Sequence, residues 1–112
     1  MTSPDEARKR FNKLVIESFL ESMAFGDVVL HFLELTSPFN RDEIAEKPKL
    51  FSKELESLFG DGAKIIETTM IRNLYRKLGI KHAKIGRLTF PEQIKKAWKE
   101  YLGSEKLRKH MQ

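Results

Sequence analysis

The chain has 112 residues, of which 40% are hydrophobic and eight are phenylalanine, and it carries a formal net charge of +5. This length allows one domain with a modest core, and the composition is typical of a packed globule rather than a disordered segment. Because cysteine is absent, disulfides and thiolate metal sites are excluded. The sequence has no apolar run of membrane-spanning length and no apolar segment like that of a signal peptide near its start, so we expect a cytoplasmic protein without membrane contact.

The charge is unevenly distributed along the chain. Residues 1–71 contain nine Lys or Arg and thirteen Asp or Glu, whereas residues 72–112 contain twelve Lys or Arg and three Glu. The two parts therefore carry net charges of −4 and +9. Such asymmetry indicates a basic face for an acidic partner, either nucleic acid or an acidic protein surface. The alternative is that the basic side chains only solubilise a C-terminal helix.

Hydrophobic residues at three- and four-residue spacing predict five or six helices joined by short turns. We expect the first helix to run from the N-terminal region to Gly26, which would end it, with Asp27 capping the segment "DVVLHFLEL". The segment "RDEIAEK" predicts one or two helical turns, and Pro48 is expected to begin the next helix because its position needs no amide hydrogen.

The stretch "LFGDGAKIIE" contains two glycines around an aspartate. A phosphate-binding loop would need more glycines, a preceding strand and a Lys-Ser/Thr pair. We interpret it instead as a corner between two helices, in which Gly60 ends one helix and Asp61 caps a second helix over about residues 62–78. A DNA-binding helix-turn-helix at residues 48–78 is an alternative, but the start of its second helix contains Ile65 and Ile66 rather than mainly basic and polar residues.

The segment "TFPEQIKKAWKEYLG" predicts the last helix. Thr89 and Glu92 have capping-box spacing, and Gly103 is expected to end the helix. The resulting prediction is an all-α fold: a compact single-domain bundle over residues 1–103, followed by a frayed basic tail at 104–112. We expect the core to contain the apolar helix stripes. These residues are Phe11, Leu14, Phe19, Phe51, Leu55, Phe59, Ile66, Met70, Leu74, Ile94, Trp98 and Tyr101.

Nine basic residues in the C-terminal third are candidates for contacting nucleic-acid phosphates. They are Arg72, Arg76, Lys77, Lys81, Lys84, Arg87, Lys95, Lys96 and Lys99. On the last helix the lysines lie opposite the face that carries Trp98 and Tyr101. The alternative is that the aromatic residues belong to the core and the lysines to an ordinary solvated face, since no motif specifies the groove or base to be recognised.

The pattern shows no catalytic constellation and no metal site. His31, His82 and His110 are far apart in sequence and lack a second ligand at zinc-like spacing, and we expect His31 to be partly buried. Asp42, Glu43 and Glu46 crowd a short helix, where carboxylates occur for dipole reasons alone. We therefore expect no enzyme, no cofactor and no metal; an enzyme using Asp42, Glu43 or His31 is the most distant option.

The segment "FLELTSPFNRDEIAEKPKLFSKELESLFGDGAKIIETTMIRNLYRKLGI" resembles the all-helical archaeal Nitrosopumilus output domain over roughly residues 28–80. The similarity rests on Ile44 and Pro48 before Phe51, on the "LFGDGAKIIE" corner, and on "LYRKLGI" at a helix end. The resemblance implies an archaeal, non-enzymatic regulatory or signalling module in a stand-alone version. It carries over no catalytic residues.

Two functional hypotheses follow. The first is a non-catalytic regulatory domain that binds nucleic acid through the basic C-terminal third. The second is a protein–protein interaction module, a homodimer or a signalling partner, that uses apolar residues outside the main core stripes, such as Ile16, Leu20 or Ile65.

Overall fold

The computed structural model describes the backbone of residues 4–81 and 88–110, with the side chains of residues 5–81 and 88–105. The helices are α1 (Pro4–Leu20), α2 (Gly26–Thr36), α3 (Pro48–Phe59), α4 (Gly62–Leu78) and α5 (Phe90–His110), with a 3₁₀ turn at Arg41–Glu43. These ranges contain no strand, which confirms the all-α prediction. None of the helices in the described ranges combines the length and apolar character needed to cross a membrane.

Helix α4 is the centre of the bundle, because it packs against α1, α3 and α5. Beside it, Phe51 of α3 joins three other helices or turns through ring contacts. Its ring centroid lies 5.3 Å from that of Phe19, 5.4 Å from that of Phe39 and 6.1 Å from that of Phe90. Aromatic pairs at these distances add to the burial of apolar area, so α1, α3, α5 and the loop after α2 share one core.

The predicted core is largely confirmed. Eight of the twelve predicted residues are buried, and they are Phe11, Phe19, Phe51, Leu55, Met70, Leu74, Ile94 and Tyr101. The other four, Leu14, Phe59, Ile66 and Trp98, are partly buried and pack against the cluster. Tyr75, on the same apolar stripe of α4 as Met70 and Leu74, is also fully buried, and its hydroxyl donates a hydrogen bond of 2.9 Å to the carbonyl of Gln93.

The corner between α3 and α4 is confirmed, since helices lie on both sides of "GDG". Gly60 has a φ of 58°, a region that favours glycine. The predicted cap at Asp61 is wrong: its side chain makes no capping hydrogen bond, and its backbone is already helical. The corner closes through the backbone instead, where the amide of Ala63 donates to the carbonyl of Gly60 at 3.1 Å.

The predicted role of Gly26 is wrong. Helix α1 ends at Leu20, and Gly26 begins α2, so that Asp27 lies within α2 rather than before it. The end of α1 is closed by Ser22, whose amide donates to the carbonyl of Phe19 at 2.9 Å. A Cβ at Gly26 would lie only 3.1 Å from Cδ2 of Leu20. The glycine therefore permits close packing of the two helices and does not act as a helix stop.

The capping box at the start of α5 is confirmed, but the predicted end of this helix is wrong. The amide of Thr89 donates to Oε1 of Glu92 at 2.9 Å, and the amide of Glu92 donates to Oγ1 of Thr89 at 3.3 Å. Helix α5 continues through Gly103 to His110. Glycine weakens a helix interior by only about 1 kcal/mol relative to alanine, which neighbouring residues of high helix propensity can offset.

The segment "RDEIAEK" contains the 3₁₀ turn at Arg41–Glu43. Polar side chains bind this segment to α1 and α2. The buried amide of Asn12 donates to the carbonyl of Arg41 and accepts from the amide of Ala45, both at 2.8 Å. The guanidinium of Arg41 in turn bonds to Glu34 and to Asp27, each at 2.9 Å. The bond from Arg41 lowers the pKa of the Glu34 carboxyl.

Candidate nucleic-acid interface

Three lysines occupy the side of α5 that faces away from the core. Lys95 and Lys99 are exposed and Lys96 is half-buried, whereas the neighbouring Ile94 and Ala97 are buried. None of these lysines forms an ion pair with a residue in the part of the chain that the structure describes. Their positive charges are therefore available to an external anion.

Two of the three acidic residues of α5, Glu92 and Glu105, are bound by residues other than the lysines. Glu92 is held in the capping box, and its bonds with Thr89 lower the pKa of its carboxyl. Glu105 accepts hydrogen bonds from Tyr101 at 3.0 Å and from Arg10 at 3.5 Å. Glu100 lies close enough to Tyr75 to contribute, after burial, to raising the pKa of that hydroxyl.

Basic residues of α1 lie next to α5, and sequence reasoning did not identify them. The guanidinium of Arg8 lies 4.7 Å from the ring centroid of Trp98 on α5. Trp98 itself packs against Phe11 of α1, with ring centroids 5.2 Å apart. Arg10 of the same helix forms an ion pair with Glu105 of α5 at 3.5 Å. The run "RKR" at residues 8–10 is a local signal of positive charge, but it lies within residues 1–71, whose net charge is −4.

The three basic residues of α4 have different surroundings. Arg72 lines a groove between α3, α4 and the start of α5. Arg76 donates to Oδ1 of Asn73 at 3.0 Å. Lys77 forms an ion pair of 2.5 Å with Glu21 beyond the end of α1.

The remaining three candidates lie in the connection between α4 and α5. Lys81 is exposed, and Lys84 and Arg87 lie outside the described residues. The structure thus leaves three of the candidate lysines on α5 and brings Arg8 of α1 to Trp98 of the same helix, one turn from Lys95. We call Arg8, Trp98, Lys95, Lys96 and Lys99 the α1–α5 basic surface.

The groove beside Arg72 has a volume of about 680 Å³ and contains one half-buried carboxyl group. Burial raises the pKa of Glu67, although the hydroxyl of Ser52 donates a hydrogen bond of 3.0 Å to this carboxyl and opposes the shift. Hydroxyl and carboxyl groups line the groove, but no histidine or lysine is paired with Ser52 in the described residues.

The residues of the distant enzyme option do not share a site. Asp42 lines a second cavity of about 570 Å³ together with Glu46 and Lys13. Glu43 forms an ion pair of 3.3 Å with Lys47. His31 is exposed on α2 and lines neither cavity, so the prediction that it is partly buried is wrong. The described residues hold no group of three or more His, Asp or Glu side chains suited to a metal ion.

The largest exposed apolar residues lie mainly on α2 and at the residue that precedes it, a surface that was not predicted. Phe25, Val28, Phe32 and Leu35 are exposed by 71, 64, 47 and 73%. Of the residues predicted for a protein contact, Ile65 is 72% exposed, Leu20 is 37% exposed, and Ile16 packs against the core. Contiguous apolar patches on monomeric proteins are commonly functional.

The chain matches no protein-family model, no curated protein and no solved structure. The resemblance of residues 28–80 to the Nitrosopumilus output domain therefore stays a prediction.

Proposed function

We propose that this chain is a non-catalytic regulatory domain of an archaeal cytoplasm that binds nucleic acid through the α1–α5 basic surface. The resemblance over residues 28–80 supports a regulatory or signalling role, and the charge of the C-terminal third supports an anionic partner.

The observation that carries the proposal is the set of α5 lysines that form no ion pair with a described residue, together with Arg8 held over Trp98 one turn from Lys95. Lysines at i and i+4, such as Lys95 and Lys99, lie on the same side of a helix and follow a phosphate backbone without reading sequence. A planar guanidinium held on an indole is preorganised to donate to phosphate oxygens. We therefore infer contact with the nucleic-acid backbone rather than with base edges.

The test is fluorescence anisotropy of labelled duplex DNA and of single-stranded RNA, titrated with the protein at several salt concentrations. We expect the logarithm of the association constant to fall linearly with the logarithm of salt concentration. The slope estimates the number of phosphates contacted. The triple variant Lys95→Glu, Lys96→Glu and Lys99→Glu should lose binding while its circular dichroism spectrum stays helical.

A matched control removes the same charge from another surface. Lys49, Lys53 and Lys64 are exposed on α3 and α4, and they form no ion pair with a described residue. Changing these three to Glu lowers the net charge by the same amount and should reduce affinity much less. Equal losses in the two triple variants would show that net charge alone governs binding, and unchanged affinity in the α5 variant would refute the proposal.

The second candidate function is that of a protein–protein interaction module with no nucleic-acid binding. The exposed apolar residues of α2 favour it, because burying them against a partner would remove a large apolar area from water. If neither DNA nor RNA binds at low salt, this second function takes precedence, and the lysines of α5 serve solubility.

A further inference from the structure

Phe25, the residue that directly precedes α2, and three exposed apolar residues of α2 form a stripe with coiled-coil spacing. Phe25, Val28, Phe32 and Leu35 are separated by three, four and three residues, which is the a/d pattern of helices that pack against one another. The stripe is distinct from the side of α2 that packs on the protein, where Gly26, Leu30 and Leu33 are buried. Helix α2 thus has one apolar side in the core and a second apolar side exposed to solvent.

The stripe is complementary to itself when two copies run antiparallel. In that arrangement a and d residues share layers, so Phe25 lies opposite Leu35 of the second copy and Val28 lies opposite Phe32. The four positions are symmetric about Leu30, and a two-fold axis at that point places a large side chain against a smaller one in every layer. This alternation is the usual way in which facing positions interdigitate.

The residues that flank the stripe do not oppose self-association. The flanking e and g positions are Ala24, Val29, His31 and Thr36, and none of them is an acid, a lysine or an arginine. The acidic residues of α2, Asp27 and Glu34, lie at c positions and are bound by Arg41 of the same chain. Pairing two α2 helices therefore brings no two carboxylates together. Charge repulsion does not select against a second copy.

The apolar area is sufficient for a weak dimer. Phe25 and Phe32 are exposed by 71 and 47%, and an aromatic side chain offers about 200 Å². With Val28 and Leu35, the stripe would bury roughly 400 Å² per copy, and the flanking residues would bring the total for both copies to about 1,000 Å². Interfaces of this size belong to weak or transient complexes, so we expect a dissociation constant in the micromolar range or weaker.

We propose that this protein forms a two-fold symmetric dimer in which α2 packs antiparallel on α2 of a second copy. The inference does not rest on nucleic-acid binding. The dimer would carry two α1–α5 basic surfaces, since α5 packs on α1, α3 and α4 and leaves the stripe on α2 uncovered.

The experiment is sedimentation equilibrium of the full chain from about 1 to 300 µM, a range that covers micromolar dissociation constants. The wild-type protein should pass from monomer to dimer across this range. Phe25→Glu and Leu35→Lys should each weaken dimerisation at least tenfold. Both sites are more than two thirds exposed, and the new charges suit the helix dipole, so the variants should remain folded by circular dichroism.

Mixing the two single variants tests the antiparallel register. In a mixed dimer Glu at position 25 would face Lys at position 35, while Phe25 and Leu35 would meet in the other outer layer. Equimolar mixing should therefore restore a dimer that neither variant forms alone. Ile65→Glu is the matched control, because Ile65 is 72% exposed but lies on α4. This variant should dimerise as the wild-type protein does.

Three results would overturn the proposal: a wild-type protein that stays monomeric throughout the range, a dimer unaffected by Phe25→Glu and Leu35→Lys, or the absence of rescue on mixing. A monomer that binds DNA would refute the dimer and leave the proposed function intact. A dimer that binds neither DNA nor RNA would support the proposed dimer and refute the proposed function.

Discussion

Asn73 on α4 donates a hydrogen bond of 3.2 Å from Nδ2 to the carbonyl oxygen of Ser18 on α1. The two residues are 55 positions apart in sequence, and the amide is buried. The same side chain accepts a bond from Arg76 through its other atom, Oδ1. One buried amide therefore joins the central helix to α1 and also holds a basic residue of the C-terminal third.

Replacing Asn73 by Ala should lower the free energy of unfolding by about 1–2 kcal/mol, because the carbonyl of Ser18 would remain buried without this donor. Asn73→Asp should cost more, since a carboxylate would then face that carbonyl. Urea denaturation followed by circular dichroism measures both changes. Asn40→Ala is the control: Asn40 is exposed and only caps the amide of Asp42, so a loss as large as that of Asn73→Ala would contradict the interpretation.

Replacing Arg8 by Ala should weaken nucleic-acid binding and reduce the magnitude of the salt slope by about one phosphate contact. The chain has a single tryptophan, so the fluorescence of Trp98 reports directly on this surface. Wild-type emission should change on titration with DNA. Arg8→Lys preserves the charge but not the planar group, and it should keep the salt slope while altering the emission of the free protein. A salt slope unaffected by Arg8→Ala would exclude Arg8 from the interface.

Replacing Glu67 by Gln should stabilise the protein at pH 7 by about 0.5 kcal/mol. Burial raises the pKa of Glu67 in the folded state, so folding penalises its charged form at neutral pH, and the penalty disappears below the ordinary pKa of the carboxyl. The stability difference between variant and wild type should therefore shrink as pH falls from 7 to about 4. Thermal unfolding across this range provides the measurement, and a difference independent of pH would contradict the assignment.

Two glycines should respond to alanine with opposite signs. Gly79 ends α4 with a φ of 72°, and Ala there should destabilise the protein by about 1 kcal/mol. Gly103 lies inside α5 with no atom near the position of an added Cβ, so Ala there should stabilise the protein by about 0.5–1 kcal/mol. Differential scanning calorimetry distinguishes the two. Destabilisation by Gly103→Ala would indicate that the helix ends at that residue.

The boundaries of α3 and α4 could be predicted from the sequence because local chemistry determines them. Pro48 occupies the start of α3, and Gly60 and Gly79 take the positive φ values that glycine favours. Gly26 and Gly103 were misassigned by the same rule, because one permits close packing and the other is tolerated within a helix. A single sequence does not distinguish these three uses of glycine.

The candidate site was less predictable than the fold. The stacking of Arg8 on Trp98 joins residues separated by nearly the whole chain, and helix periodicity carries no information about such contacts. The exposed stripe on α2 was also missed, since apolar residues lie on two sides of that helix and the periodicity does not indicate which side is buried. Only the packing of α2 on α1 resolves this.

The polar connection from Arg41 to Glu34 and Asp27 has a consequence for how the protein opens. Helix α2 has α1 as its main partner, and its polar side is bound to the segment that directly follows it in sequence. The contacts between α2 and the 3₁₀ turn are therefore local in sequence. The two can open as one unit once the bonds of Asn12 and the core contacts of Leu30 and Leu33 break, while α1, α4 and α5 stay packed. Native-state hydrogen exchange should reveal two cooperative units, with the amides of α2 exchanging through a low-energy opening and those of α4 only through global unfolding.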